Sequence, residues 1–154
     1  MNKPPLATFR LDGKTAIVTG GAGILGQRFA HGLASAGAQV AVVDLDEAAA
    51  CEIATAIGSN AKGFCCDIAD PESVQNCVDA IVSHFGRIDI LHNNAATKTA
   101  DPRKFFTTFE DYTLEVWREV MSVNIDGMFL MAQSVGRQML RQNQGGAVIQ
   151  TASI

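Results

Sequence analysis

Thr15-Ala16-Ile17-Val18-Thr19-Gly20-Gly21-Ala22-Gly23-Ile24-Leu25-Gly26 decides how this chain is read. A short apolar run ends in glycines, and a helical pattern follows at once. Ile24 to Ala36 places Leu25, Phe29, Leu33 and Ala36 at spacings of four, four and three, with Gly37 as the stop. The unit is therefore a strand, a glycine turn and a helix, and the same alternation continues along the chain. Val40 to Val43 reads as a second strand closed by Asp44, and Asp46 to Ile57 as an alanine-rich helix capped by Asp46 and Gly58. Ala61 to Cys66 is a third strand. Pro71 opens a helix with Val74, Cys77, Val78, Ile81, Val82 and Phe85 on one face and Gly86 at its end.

Further on, Ile88 to His92 reads as a fourth strand and Thr97 to Thr113 as a polar, aromatic connection. Leu114 to Ser122 and Asn124 to Arg141 read as two helices, and Ala147 to Ile149 as a fifth strand after Gly145-Gly146. Strands that are apolar throughout are covered on both faces, so the pattern predicts a parallel sheet in a doubly wound α/β fold.

Composition agrees with a globular chain and removes several classes of function. The 154 residues are 47% hydrophobic and 18% charged, with a net charge of −4. This mildly acidic balance gives no electrostatic footprint for nucleic acid or an anionic membrane. No apolar stretch approaches the ~20 residues of a membrane span, and the polar N-terminus has no apolar signal core. Cys51, Cys65, Cys66 and Cys77 have no metal-site spacing, so reduced thiols in the core of a cytoplasmic protein are expected.

The glycine turn carries the first chemistry. In Gly21-x-Gly23-x-x-Gly26, Gly21 is expected to permit the tight turn, Gly23 to let the backbone approach a pyrophosphate, and Gly26 to allow close helix packing. The helix N-terminus then presents free N–H groups and a positive dipole end to phosphate. Asp44 follows Gly26 by 18 residues at the end of the second strand, where an acid accepts hydrogen bonds from a ribose 2′-hydroxyl. Its charge repels a 2′-phosphate, and neither Ala22 nor Leu45 supplies a cation, which favours NAD over NADP. Arg28 is the one basic residue close to the turn. These features alone also suit a methyltransferase binding the adenosine of S-adenosylmethionine.

Later segments narrow the choice. Gly13 to Gly20, Asp67-Ile68, Asp89-Ile90-Leu91-His92-Asn93-Asn94-Ala95, Val123-Asn124-Ile125-Asp126-Gly127 and Gly146 to Ser153 together resemble the short-chain dehydrogenase/reductase family over nearly the whole chain. The resemblance implies a Rossmann domain over residues 13–154, after an extension at 1–12, with five strands in the order 3-2-1-4-5. It implies a cofactor site of Gly20, Gly21, Gly23, Ile24, Leu25, Gly26, Asp44, Leu45, Asp67, Ile68, Asn93 and Ala95. Asp67 would meet the adenine amino group, and Asn93 would stabilise the central strands and shape the cleft. Asn124 would hold a water of the proton relay, and Ser153 would hydrogen-bond the substrate oxygen. The reaction implied is hydride transfer between a nicotinamide cofactor and a secondary alcohol or ketone.

Two departures stand out. The turn reads T-G-G-A-G-I-L-G, closer to the T-G-x-x-G-x-x-G of the family's extended branch, which includes epimerases and dehydratases. The Tyr-x-x-x-Lys pair of the resembled family is absent, since the single tyrosine, Tyr112, precedes Asn124 and Ser153 and is followed four residues later by Val116. That pair, and the rest of the domain, are expected beyond Ile154, and the 154 residues alone are expected to be inactive. A silent NAD-binding or regulatory module is the competing reading. His92 stands where an apolar residue is common and reads as a satisfied strand residue rather than a base. Apolar residues on more than one face of the helix from Asn124 predict a subunit interface and a homo-oligomer, dimer or tetramer.

Overall fold

Five parallel strands form one sheet in the order β3-β2-β1-β4-β5 in the computed structural model, which describes residues 9–99 and 101–152. They are β1 (Thr15–Thr19), β2 (Gln39–Asp44), β3 (Ala61–Cys65), β4 (Ile90–Asn93) and β5 (Ala147–Gln150). Helices α1 (Ile24–Ser35), α2 (Glu47–Ile57), α3 (Pro71–Phe85), α4 (Pro102–Phe105), α5 (Leu114–Met121) and α6 (Met128–Gln142) connect them.

The apolar runs are explained by two cores. Ile17, Ala41, Val43 and Leu91 face one side of the sheet, with Ile81 of α3 and Met131 and Val135 of α6. Ala16, Val18, Val40 and Val42 alternate to the other side, with Ala30 of α1 and Ala50 and Ala54 of α2. Every residue of β1 is buried. Strand order reverses between β1 and β4, so the carboxyl ends of these strands open a crevice there.

Local signals set the helix limits. Asp46 accepts from Ala49 N and Asp70 from Glu72 N and Ser73 N, each closing a helix start. Gly86 ends α3 at φ 82°, a left-handed cap that only glycine adopts without strain.

Three expectations are corrected. The two helices read at 114–122 and 124–141 are joined by a π-helical turn, Ser122–Gly127. Asn124 does not start a new helix, because its amide is engaged with Thr97 rather than with its own backbone. β4 begins at Ile90 rather than Ile88, since the Gln142 side chain takes both polar groups of the Ile88 backbone, at 2.9 and 2.8 Å. Only Cys66 and Cys77 lie in the core, while Cys51 and Cys65 are exposed.

At the opposite end of the sheet from the crevice, Asp89 is buried and accepts from Thr15 N (3.0 Å), Lys14 Nζ (3.2 Å) and the Arg87 guanidinium. Burial alone would push its carboxyl up, but Arg87, the Thr15 amide and Lys14 outweigh burial and hold it below the usual carboxylate range. A depressed folded pKa contributes stability above the unfolded value of about 3.9, and that contribution is lost as the pH falls through the folded value. Asp89→Asn is therefore expected to lower stability by about 1–3 kcal/mol at pH 7. The gap from wild type should narrow below about pH 4, as thermal melts across that range would record.

Candidate cofactor cleft

The crevice is a cleft of about 640 Å³, lined by the glycine turn, Asp44 and Leu45, Asp67 and Ile68, and Asn94 to Thr97. Its floor is built by close backbone approaches. Gly20 carries the left-handed φ of 61°, and a Cβ there would stand 2.9 Å from Ala95 Cα. The tight turn is thus made by Gly20, not by Gly21 as its position in the motif suggested. Gly21 is required for another reason, since a Cβ on it would meet Val42 Cγ1 at 2.7 Å. Gly26 packs as expected, with the carbonyl of Gly20 only 2.0 Å from where its Cβ would be. Gly23 precedes α1, and neither a side-chain cap nor an acidic residue covers the first turn of that helix. Ile24 and Leu25 are both exposed and line the cleft above it.

Asp44 has a second duty that its sequence position did not reveal. Its Oδ2 accepts from Ala22 N at 3.0 Å and its Oδ1 from Asp46 N at 3.3 Å. The end of β2 therefore braces the glycine turn and also presents a carboxylate to the cleft. Asp67 lies at the same end of the cleft, with Oδ1 accepting from Ala69 N and its own N donating to Ser73 Oγ. Ile68 is buried beneath Gly127, where a Cβ would be 2.7 Å from Ile68 Cγ1. The π-helical turn thus packs on the cleft wall.

The paired asparagines divide their work. Asn93 is fully buried, and its Nδ2 donates to Met128 O at 2.9 Å. It does not line the cleft, which corrects its expected place there. Strand alternation turns it toward α6, and Asn94 lines the cleft instead. Asn94 Nδ2 donates to Thr19 O at 3.1 Å, while Asn94 N and Ala95 N both donate to Thr19 Oγ1. Thr19 and Asn94 are thus structural partners that the motif reading did not single out, although a hydroxyl before the glycines was the available signal.

Asn124 clasps Thr97, its Oδ1 accepting from Thr97 N at 2.7 Å and its Nδ2 donating to Thr97 O at 3.0 Å. Its side chain positions the segment leaving β4. Ser153 lies outside the described residues. Tyr112 is half-buried after the short turn Phe109–Asp111, away from the cleft residues, in keeping with a packing role.

The residues present fit a dinucleotide. A glycine turn leads into an uncovered helix N-terminus, and a strand-end acid stands beside it. No lysine or arginine is among the described residues that line the cleft. Fold and site together define a doubly wound α/β protein with a glycine-turn cleft at the reversal of strand order. The chain matches the short chain dehydrogenase family over residues 14–154, and it belongs to that family.

Among its relatives is a D-threitol dehydrogenase of Mycolicibacterium smegmatis, 42% identical over 148 residues, covering 94% of this chain and 54% of the relative. A short-chain type dehydrogenase/reductase from Mycobacterium marinum superposes with a TM-score of 0.88 at 33% identity, covering 98% of this chain and 60% of that one. An NAD+-bound xylitol dehydrogenase superposes with a TM-score of 0.84 at 33% identity, covering 92% and 54%. The chain spans about half the length of the curated relatives it matches.

Proposed function

We propose that this chain is the cofactor-binding part of an NAD(H)-dependent dehydrogenase acting on a secondary alcohol or ketone, with polyols and their keto sugars as the substrate class. The observation that carries the cofactor reading is Asp44, a carboxylate at the ribose end of a cleft whose described lining holds no cation. The substrate class is supported by the threitol and xylitol dehydrogenases among the similar proteins.

When bound, the nicotinamide supplies the hydride acceptor or donor. The protein's residues bind and orient. The α1 N-terminus and Gly23 would hold the pyrophosphate, Asp44 the ribose hydroxyls, and Asp67 the adenine amino group. Ser153 would donate a hydrogen bond to the substrate oxygen, the role the family resemblance gives it. Proton transfer falls to a Tyr-x-x-x-Lys pair after Ile154, in which the lysine charge lowers the tyrosine pKa. Four free thiols suit a reducing, cytoplasmic compartment.

Assaying the intact protein for NADH production across threitol, xylitol and sorbitol tests this reading. Turnover of at least one is the expected result, and NADH binding without turnover of any polyol or simple secondary alcohol would sink the dehydrogenase assignment in favour of a silent or epimerase-type protein.

The oligomer is read from α5 and α6. Trp117, Ile125 and Phe129 stand exposed along the continuous helix, and a groove runs past Trp117, Met121 and Ile125. We read this face as a contact between subunits. Light scattering on the intact protein should return a multiple of the subunit mass, whereas a strict monomer would refute the contact.

A further inference from the structure

One buried side-chain bond joins β4 to the end of β5, outside the residues that line the cleft. His92 on β4 is buried, and its Nε2 lies 3.0 Å from Thr151 Oγ1. Its ring packs on Phe29 of α1 with centroids 4.3 Å apart. Thr151 directly follows β5, and its N donates to Asn93 O at 2.9 Å. Main chain and side chain of Thr151 are thus held by two consecutive residues of β4.

A histidine is a costly choice at this position. Burial pushes its pKa down and keeps the ring neutral, and a buried polar ring needs a partner. An apolar side chain would pack against Phe29 and need none. What the imidazole adds is a grip on the Thr151 hydroxyl. That grip falls at the exit of β5, on the residue whose main-chain N already pairs with Asn93 O. The next residue of Asn-Asn-Ala ties the other way, since Asn93 Nδ2 holds Met128 at the exit of the π-helical turn that contains Asn124. Consecutive residues of β4 therefore set both the end of β5 and the start of α6.

We infer that His92 is a positioning residue. Through the Thr151 hydroxyl it fixes where the chain leaves β5, two residues before Ser153 in the sequence. The catalytic consequence rests on the reading of Ser153 as the residue that binds the substrate oxygen; the anchor itself does not.

The test uses His92→Val, Thr151→Val and Thr151→Ser in the intact protein, with two independent readouts. In His92→Val, amide exchange in the peptide carrying Thr151 should quicken about fivefold, the loss of one hydrogen bond, while peptides of β1 and β2 keep their wild-type rates. Turnover of the best polyol should fall about 10- to 100-fold, the scale of an ~1 Å misplacement, with NADH affinity retained. Thr151→Ser should recover most of the turnover that Thr151→Val loses. Unchanged exchange at the Thr151 peptide would overturn the anchor whatever happens to turnover. Parallel loss of turnover, NADH affinity and melting temperature would overturn it as well, since that pattern marks general destabilisation. A wild-type protein that binds NADH but turns over no polyol would defeat the proposed reaction, and the exchange measurement would still decide the anchor.

Discussion

Gly26→Ala is expected to abolish measurable cofactor binding and to destabilise the fold by about 3 kcal/mol or more. The added methyl would be centred 2.0 Å from the Gly20 carbonyl oxygen and 2.8 Å from its carbon, both backbone atoms. Nothing there is the tip of a flexible side chain, so the turn or α1 must move. Overpacking usually costs ~1–3 kcal/mol, and this site has few ways to relax. Gly20 is held by its own contact with Ala95, and Gly21 by Val42 and the Val18 carbonyl. Displacing α1 would carry its N-terminal N–H groups away from the phosphates, so affinity and stability fall together.

An internal control separates this steric effect from helix propensity. Gly32 is also in α1, and a Cβ there would meet nothing within 4 Å. Gly32→Ala should stabilise the protein by up to ~1 kcal/mol and leave NADH affinity alone. Thermal melts and NADH fluorescence titrations of the two variants check both statements. A Gly26→Ala protein with wild-type affinity would contradict the packing account.

The parts of this molecule that were legible in the sequence are those imposed by sterics and by burial on two faces. Unbroken apolar runs at 16–18 and 40–43 could only be strands covered on both sides, and their pairing places them inside the sheet. Asp70-Pro71 and Gly86 delimited α3 because capping and left-handed φ are local requirements. What stayed hidden depended on partners distant in sequence. Two adjacent asparagines look alike until the strand's alternation points one at Met128 and the other at Thr19. Asn124 resembles a helix start until Thr97 claims both its amide groups, and the π-helical turn around it has no sequence signature of its own. Which glycine of Gly20-Gly21 takes the positive φ is set by the approach of Ala95, a residue of the fourth strand's exit. An acid at the end of β2 could be located by counting from the turn, but its brace on Ala22 N could not.

That double duty shapes the second large effect, at Asp44. Asp44→Ala removes the proposed ribose acceptor and also strips Ala22 N and Asp46 N of their partner. Hydrogen bonds to a charged group contribute ~1.5–3 kcal/mol each, so NADH affinity should fall about 10- to 100-fold, accompanied by a lower melting temperature. Asp44→Asn divides the two roles. Its amide oxygen can still accept from Ala22 N, so the turn stays braced, while Asp46 N loses its acceptor and the melting temperature falls less than in Asp44→Ala. The negative charge is gone, and with it the main repulsion of a 2′-phosphate at the end of β2. NADH should then bind more weakly than to wild type while NADPH binds more tightly, so the preference ratio narrows from both sides. Asp46 and Asp67 remain on the same wall of the cleft, and no lysine or arginine is among its described lining. The ratio should therefore approach unity rather than invert strongly. Parallel titrations of NADH and NADPH against wild type and both variants measure this directly. If wild type prefers NADPH, or if Asp44→Asn leaves the ratio untouched, the carboxylate does not select the cofactor and acts only as the brace of the glycine turn.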